Sequence, residues 1–168
     1  MCYHLHERVR RRLRSLASLE LINIPLQAAV WFGLLRLPPS AANLAGFCAF
    51  ALLLVQGAAY WTAKLRQLES GSPTLPLAAA FALAFRVNPP VLFAVVLFVC
   101  WSALDAPGTA SFPGLGFALF AALEHVNYFH TQLAYDNMAD LRYLTSRGLR
   151  RSHLAVDLER HRGARVRY

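Results

Sequence analysis

The stretch ALEHVNYFHTQLAYD, residues 122–136, begins as an apolar helix and then fills with Glu124, His125, Asn127, His130 and Gln132. A charged group at the centre of a bilayer costs roughly 2.5–3.5 kcal/mol even on the lenient insertion scale, so such residues turn inward, find partners and mark sites. At helical spacing, Glu124, Tyr128, Thr131 and Tyr135 form one stripe, and His125, Gln132 and Asp136 form the stripe beside it. Carboxylates and imidazoles so placed suit proton handling. Close to a headgroup plane, Glu124, His125 and Asp136 would also suit acid–base work on a lipid.

Other polar residues recur at the same depth on other apolar segments. Glu20, Asn23 and Gln27 fall at i, i+3 and i+7; Gln56, Tyr60 and Lys64 fall at i, i+4 and i+8; Arg86 and Asn88 stand before a pair of prolines. The site candidates are therefore Glu20, Asn23, Gln56, Arg86, Glu124, His125 and Tyr128. The spacing predicts one network in which the Arg86 guanidinium serves the carboxylates of Glu20 and Glu124. Were the two carboxylates to approach each other, one would hold a proton. The network would line a hydrated recess open to the cytoplasm. The plainer alternative is interhelical glue, worth about 0.6 kcal/mol per contact, between helices that approach closely over Ala41, Ala45 and Ala49 or over Gly114, Ala118 and Ala122.

More specific chemistry finds no pattern. His125 and His130 are five apart and do not make the i, i+4 pair that a metal favours, and the HLH at His4 to His6 lies in a basic terminal segment. Cys2, Cys48 and Cys100 have no metal-ligand spacing, and Cys48 and Cys100 are expected as buried free thiols. Asp136, Asp140 and Asp157 lack the glycine, alanine and arginine spacing of metal-dependent headgroup transferases. No catalytic triad, phosphate loop or nucleotide fingerprint is present. Neither a metal nor another cofactor is expected, and no residue can be assigned as catalytic.

The elements that hold these residues follow from composition and hydropathy. Of 168 residues, 57% are hydrophobic and only 15% charged, which is membrane-protein composition rather than that of a soluble domain. About 20 apolar residues cross the hydrocarbon core. Spans are expected at Leu16–Leu35, Ala42–Ala63, Pro89–Leu104 and Pro113–Leu133, with a turn at Pro38, Pro39 and Ser40 and another over residues 105–114. The apolar run from Leu75 to Leu104 is too long for one ordinary tilt, and Asn88, Pro89 and Pro90 read as the cap and first turn of a new helix. Residues 75–86 would then be interfacial, re-entrant or one limb of a kinked span. The fourth span is expected to run on through Asp136 and Asp140 toward Leu144. Ser152 is expected to cap an amphipathic helix with Leu154, Ala155 and Leu158 on one face. The fold class is an all-α integral membrane protein, a four-transmembrane-helix bundle broken near Asn88-Pro89-Pro90, with a basic cytoplasmic C-terminal helix. Its divisions are a basic segment 1–15, the bundle 16–135 and a basic tail 136–168.

The formal charge of +8 is concentrated in the flanks: Arg8, Arg10, Arg11, Arg12 and Arg14 before the first span, and Arg142 to Arg167 after the last. Without aromatic interleaving this argues against nucleic acid and for anionic headgroups at a cytoplasmic face. Lys64 and Arg66 add to the same side, so both termini are expected in the cytoplasm, in a bacterial cytoplasmic membrane. Three classes of function fit: a structural or accessory subunit acting on a protein partner or a second copy, a small oligomeric transporter or channel subunit using the recess, or a lipid-modifying enzyme.

Overall fold

The computed structural model of the chain describes residues 2–133 and 149–165. Among these residues it is all-α, with five helices and one isolated antiparallel bridge between Thr131 and Arg151. Helix α1 spans Cys2–Ala28, taking in the basic N-terminal segment, and continues as a π-helical stretch over Ala29–Leu34. Pro25 within α1 has no N–H to donate to the preceding turn. The wider winding shows where Leu35 N–H reaches back five residues to Val30 O at 2.9 Å. Arg36, at φ 50°, and the two prolines after it end the element.

Helix α2, Ala41–Ser70, starts at Ser40, whose hydroxyl accepts from Asn43 N–H at 3.1 Å, and stops at Gly71, whose φ of 63° suits a residue without Cβ. Helices α3 (Ala78–Asp105), α4 (Phe112–Phe129) and α5 (His153–Arg165) follow. Among the described residues, three helices are long and apolar enough to cross a membrane: His6–Leu34, Ala41–Ser70 and Ala78–Asp105. The 18 residues of α4 make a rod of about 27 Å.

Helix α2 is the central post, packed by α1, α3 and α4. Its closest neighbour is α4, because glycine faces backbone at the crossing: a Cβ on Gly46 would fall inside the Gly114 carbonyl, and one on Gly114 inside that of Ala42. Ala49, Ala118 and Ala121 continue the buried seam, which on α2 therefore runs through Ala42, Gly46 and Ala49 rather than Ala41, Ala45 and Ala49. Phe47, Phe50 and Phe117 fill the space beside it, Phe47 and Phe117 meeting edge to face at 5.3 Å. Asn43, fully buried, ties the far end together: its amide donates to Pro38 O and Thr109 O at 2.8 and 2.9 Å and accepts from Gly114 N–H at 2.8 Å.

Three expectations are corrected. The break at Asn88-Pro89-Pro90 is absent: α3 is helical throughout, with both prolines inside it. Asn88 does not cap a new helix, since Pro90 offers no N–H at the second position; its side chain is buried and bonds to α2 and α4 instead. The fourth helix stops at Phe129 rather than running on past Leu133. There, Ser152 Oγ donates to the Tyr128 carbonyl at 2.6 Å, and residues 130–132 pair with 150–152. Its expected course through Asp136 and Asp140 lies outside the described residues. Finally, Cys48 and Cys100 are free as expected but exposed, not buried.

Candidate functional site

The α2 stripe faces inward along its whole length, and each member finds a partner. Gln56 and Asn88 exchange amide hydrogen bonds of 3.2 and 2.7 Å, and the second Asn88 N–H reaches His125 Nδ1 at 3.4 Å. Because the Asn88 nitrogen is the donor to Gln56, His125 Nδ1 must accept, which places the ring proton on Nε2. That nitrogen is buried without a hydrogen-bond partner, its ring stacked on Phe129 at 4.8 Å.

One to two turns further along, Lys64 Nζ meets both oxygens of Asp157 at 2.8 and 3.0 Å, and Tyr60 donates to the same carboxylate at 3.0 Å. Asp157 lies on α5, where Leu154, Ala155 and Leu158 are buried as the sequence predicts; Ser152 Oγ caps the helix by accepting from Ala155 N–H at 3.2 Å. Lys64 is thus neutralised. The pairing was hidden in the sequence because the two residues are 93 positions apart.

A recess of about 530 Å³ opens at this end of the bundle. Its walls come from α1 (Arg12, Leu16, Glu20), α2 (Trp61, Lys64), α4 (Glu124, Tyr128) and the start of α5. Glu20 accepts from the Tyr128 hydroxyl across the α1–α4 gap, and Trp61 lines the recess beside it. Tyr128 reaches this position because it lies against Gly57, where any Cβ would collide with the phenol. Glu124 lines the same recess as Glu20, and among the described residues it accepts from Asn127 Nδ2 at 3.3 Å. Among the described residues, no cation stands within 4 Å of either carboxylate.

Of the seven sequence candidates, the structure brings Glu20, Glu124 and Tyr128 together in this recess, and Gln56 and His125, joined by Asn88, into a separate cluster. Asn23 instead takes part in a ladder on α1: Gln27 donates to it at 3.2 Å, and Trp31 donates to Gln27 at 2.8 Å. Arg86 is exposed on α3 and forms no ion pair with Glu20 or Glu124, so the three-helix charge network is not assembled. Its long side chain can follow its aliphatic stem outward, whereas the shorter glutamates cannot. Trp61 lines the recess although the i, i+4, i+8 stripe of Gln56, Tyr60 and Lys64 does not include it; it adjoins that stripe, one residue after Tyr60.

Chemically, the carboxylates of Glu20 and Glu124 share an aromatic-walled chamber with Trp61, Tyr60 and Tyr128, and Arg12 and Lys64 contribute to its walls. Among the described residues no group of three or more His, Cys, Asp and Glu converges as a metal site. Glu124 and His125 are sequence neighbours whose side chains join different groups, His125 with Asn88 and Glu124 with Asn127. The chain matches no protein-family model, no curated protein and no solved structure.

Proposed function

We propose that the chain is a four-span integral membrane protein, both termini cytoplasmic, whose cytoplasm-side recess binds a cation-bearing small molecule between Glu20 and Glu124. The observation that carries this reading is the pair of carboxylates in one recess that, among the described residues, form no ion pair, while Lys64 in the same wall is committed to Asp157 and Arg12 lies toward the mouth on α1 two to three turns before Glu20. A bound ammonium supplies the missing charge, and the aromatic walls add cation–π attraction of about 0.5–2 kcal/mol. The recess thus favours a small transporter or binding subunit. Treating α4 as the fourth span is supported by its burial against α2 and α3, which obliges it to run through the same layer.

The reading is tested with tetramethylammonium titrated calorimetrically into protein in maltoside micelles. Saturable binding is expected, weakened at least tenfold by Glu20→Gln or Glu124→Gln and unchanged by Glu159→Gln. Equal binding by the carboxamide variants, with helicity and elution volume preserved, would overturn it. Orientation is checked separately: cysteines at Ser40 and Thr109 should react with an impermeant reagent from outside, and those at Gly71 and Arg150 should not.

An accessory role through partner contacts has its own support in α1. Among the described residues this helix packs mainly on α2, and Leu19, Leu21, Ile22 and Leu26 are half exposed or more. A second copy or another membrane protein on that face would appear as a discrete larger mass after gentle extraction.

A further inference from the structure

A second cavity, about 620 Å³, lies along the same α1–α4 seam, directly beyond the polar recess. Its walls are Asn23, Gln27 and Trp31 on one side and Phe112, Gly116, Phe117 and Phe120 on the other. The order along each helix makes the two chambers consecutive. Glu20 to Asn23 is one turn on α1, and Glu124 to Phe120 is one turn on α4, so the lining changes from charged to amide to aromatic along one groove. Both volumes are within the range of small-molecule sites, roughly 300–1,000 Å³. Among the described residues α1 packs on α2 and makes little backbone contact with α4, so helix packing does not close the space between α1 and α4.

Resting on the reading of the recess as a cation site, we infer that the ligand is a single-chain amphiphilic cation: its ammonium lies between Glu20 and Glu124, and its apolar chain lies in the groove as far as Trp31. Head and tail have distinct determinants. Charge complementarity selects the ammonium. In an apolar phase a hydrocarbon chain gains little by moving from lipid to protein, so the aromatic groove gives shape and register rather than most of the affinity. From Glu20 to Trp31 the helix advances roughly 16 Å, which sets the length of chain that fits.

The three tryptophans provide the assay, since Trp61 lines the recess, Trp31 lines the groove and Trp101 is 74% exposed on α3. In a Trp101→Phe background in maltoside micelles, dodecyltrimethylammonium brominated at the chain end should quench fluorescence saturably, at a mole fraction where the brominated dodecyl sulfate does not. The saturable part should vanish with Trp31→Phe. Gly116→Leu should also remove it, because a side chain there meets no protein atom within 4 Å and so projects into free space. Phe120→Ala, which opens the wall without adding bulk, should weaken it severalfold. Tetramethylammonium binding should persist in all three variants. Equal quenching by cation and sulfate, or saturable quenching that survives Gly116→Leu, while tetramethylammonium still binds, overturns the amphiphile and leaves the cation site standing. Loss of tetramethylammonium binding in the unaltered protein removes the site on which the inference rests.

Discussion

Replacing Asp157 by alanine should loosen α5 without detaching it. The substitution removes the partner of Lys64 and of the hydroxyl of Tyr60, a residue only 1% exposed. Breaking a buried ion pair costs about 3–5 kcal/mol when the survivor cannot reach water, but the Lys64 side chain is 25% exposed, so about 2–3 kcal/mol is the reasonable share. The stranded Tyr60 hydroxyl adds about 1 kcal/mol. Against this total of about 3–4 kcal/mol stand Leu154 and Leu158, 2% and 4% exposed, each contributing roughly 1.5–3 kcal/mol of apolar burial. The helix therefore remains docked on average and opens more often. At about 1.4 kcal/mol per factor of ten, amide protection over residues 153–165 should fall by about two to three orders of magnitude. Hydrogen exchange followed by mass spectrometry measures this directly, with α4 peptides as an internal reference. Lys64→Met combined with Asp157→Leu should recover most of the loss, because no charge is left unpaired. If Asp157→Ala changes α5 exchange by less than about threefold, or if the double variant exchanges no slower than either single one, the pair does not hold α5 and the reasoning fails.

Asn43→Leu should lower stability by about 2–4 kcal/mol in a detergent-unfolding titration, from three side-chain bonds lost at one buried point; a change below about 0.5 kcal/mol would show the clamp to be incidental. Gly57→Ala should cost about 1–3 kcal/mol by overpacking, and it should also move Tyr128 away from Glu20, which ultraviolet resonance Raman of the tyrosine reads out independently of stability. Pro89→Ala and Pro90→Ala should leave stability unchanged or raise it, because α3 is continuous and each proline removes a helix hydrogen bond; a clear loss of stability would instead restore the picture of two helices meeting there.

Much of the architecture follows from the sequence alone because a bilayer makes strong demands of short segments. Runs of about 20 apolar residues define candidate spans, and 3.6-residue periodicity defines which face of each span is polar. That is why Gln56, Tyr60 and Lys64 were recognisable as one inward stripe, why Glu20, Glu124 and Tyr128 were recognisable as recess residues, and why Ser152 with Leu154, Ala155 and Leu158 announced α5. Local signals failed where they competed with distant ones. Asn88 carries the signature of a cap, yet its amide is worth more bonded to Gln56 and His125 than at a helix start whose second residue is proline. The end of α4 carries helical periodicity, yet the Ser152 hydroxyl takes the Tyr128 carbonyl. Partner choice is the quantity that only the tertiary structure decided. Depth and face are properties of one helix, but whether Glu20 meets Arg86 or Tyr128, and whether Lys64 meets Glu124 or Asp157, depends on how four helices rotate about one another. That rotation is set by where glycine allows contact, at Gly46 against Gly114 and at Gly57 against Tyr128, so a few missing methyl groups determine which charges find partners and leave the two glutamates facing an open recess.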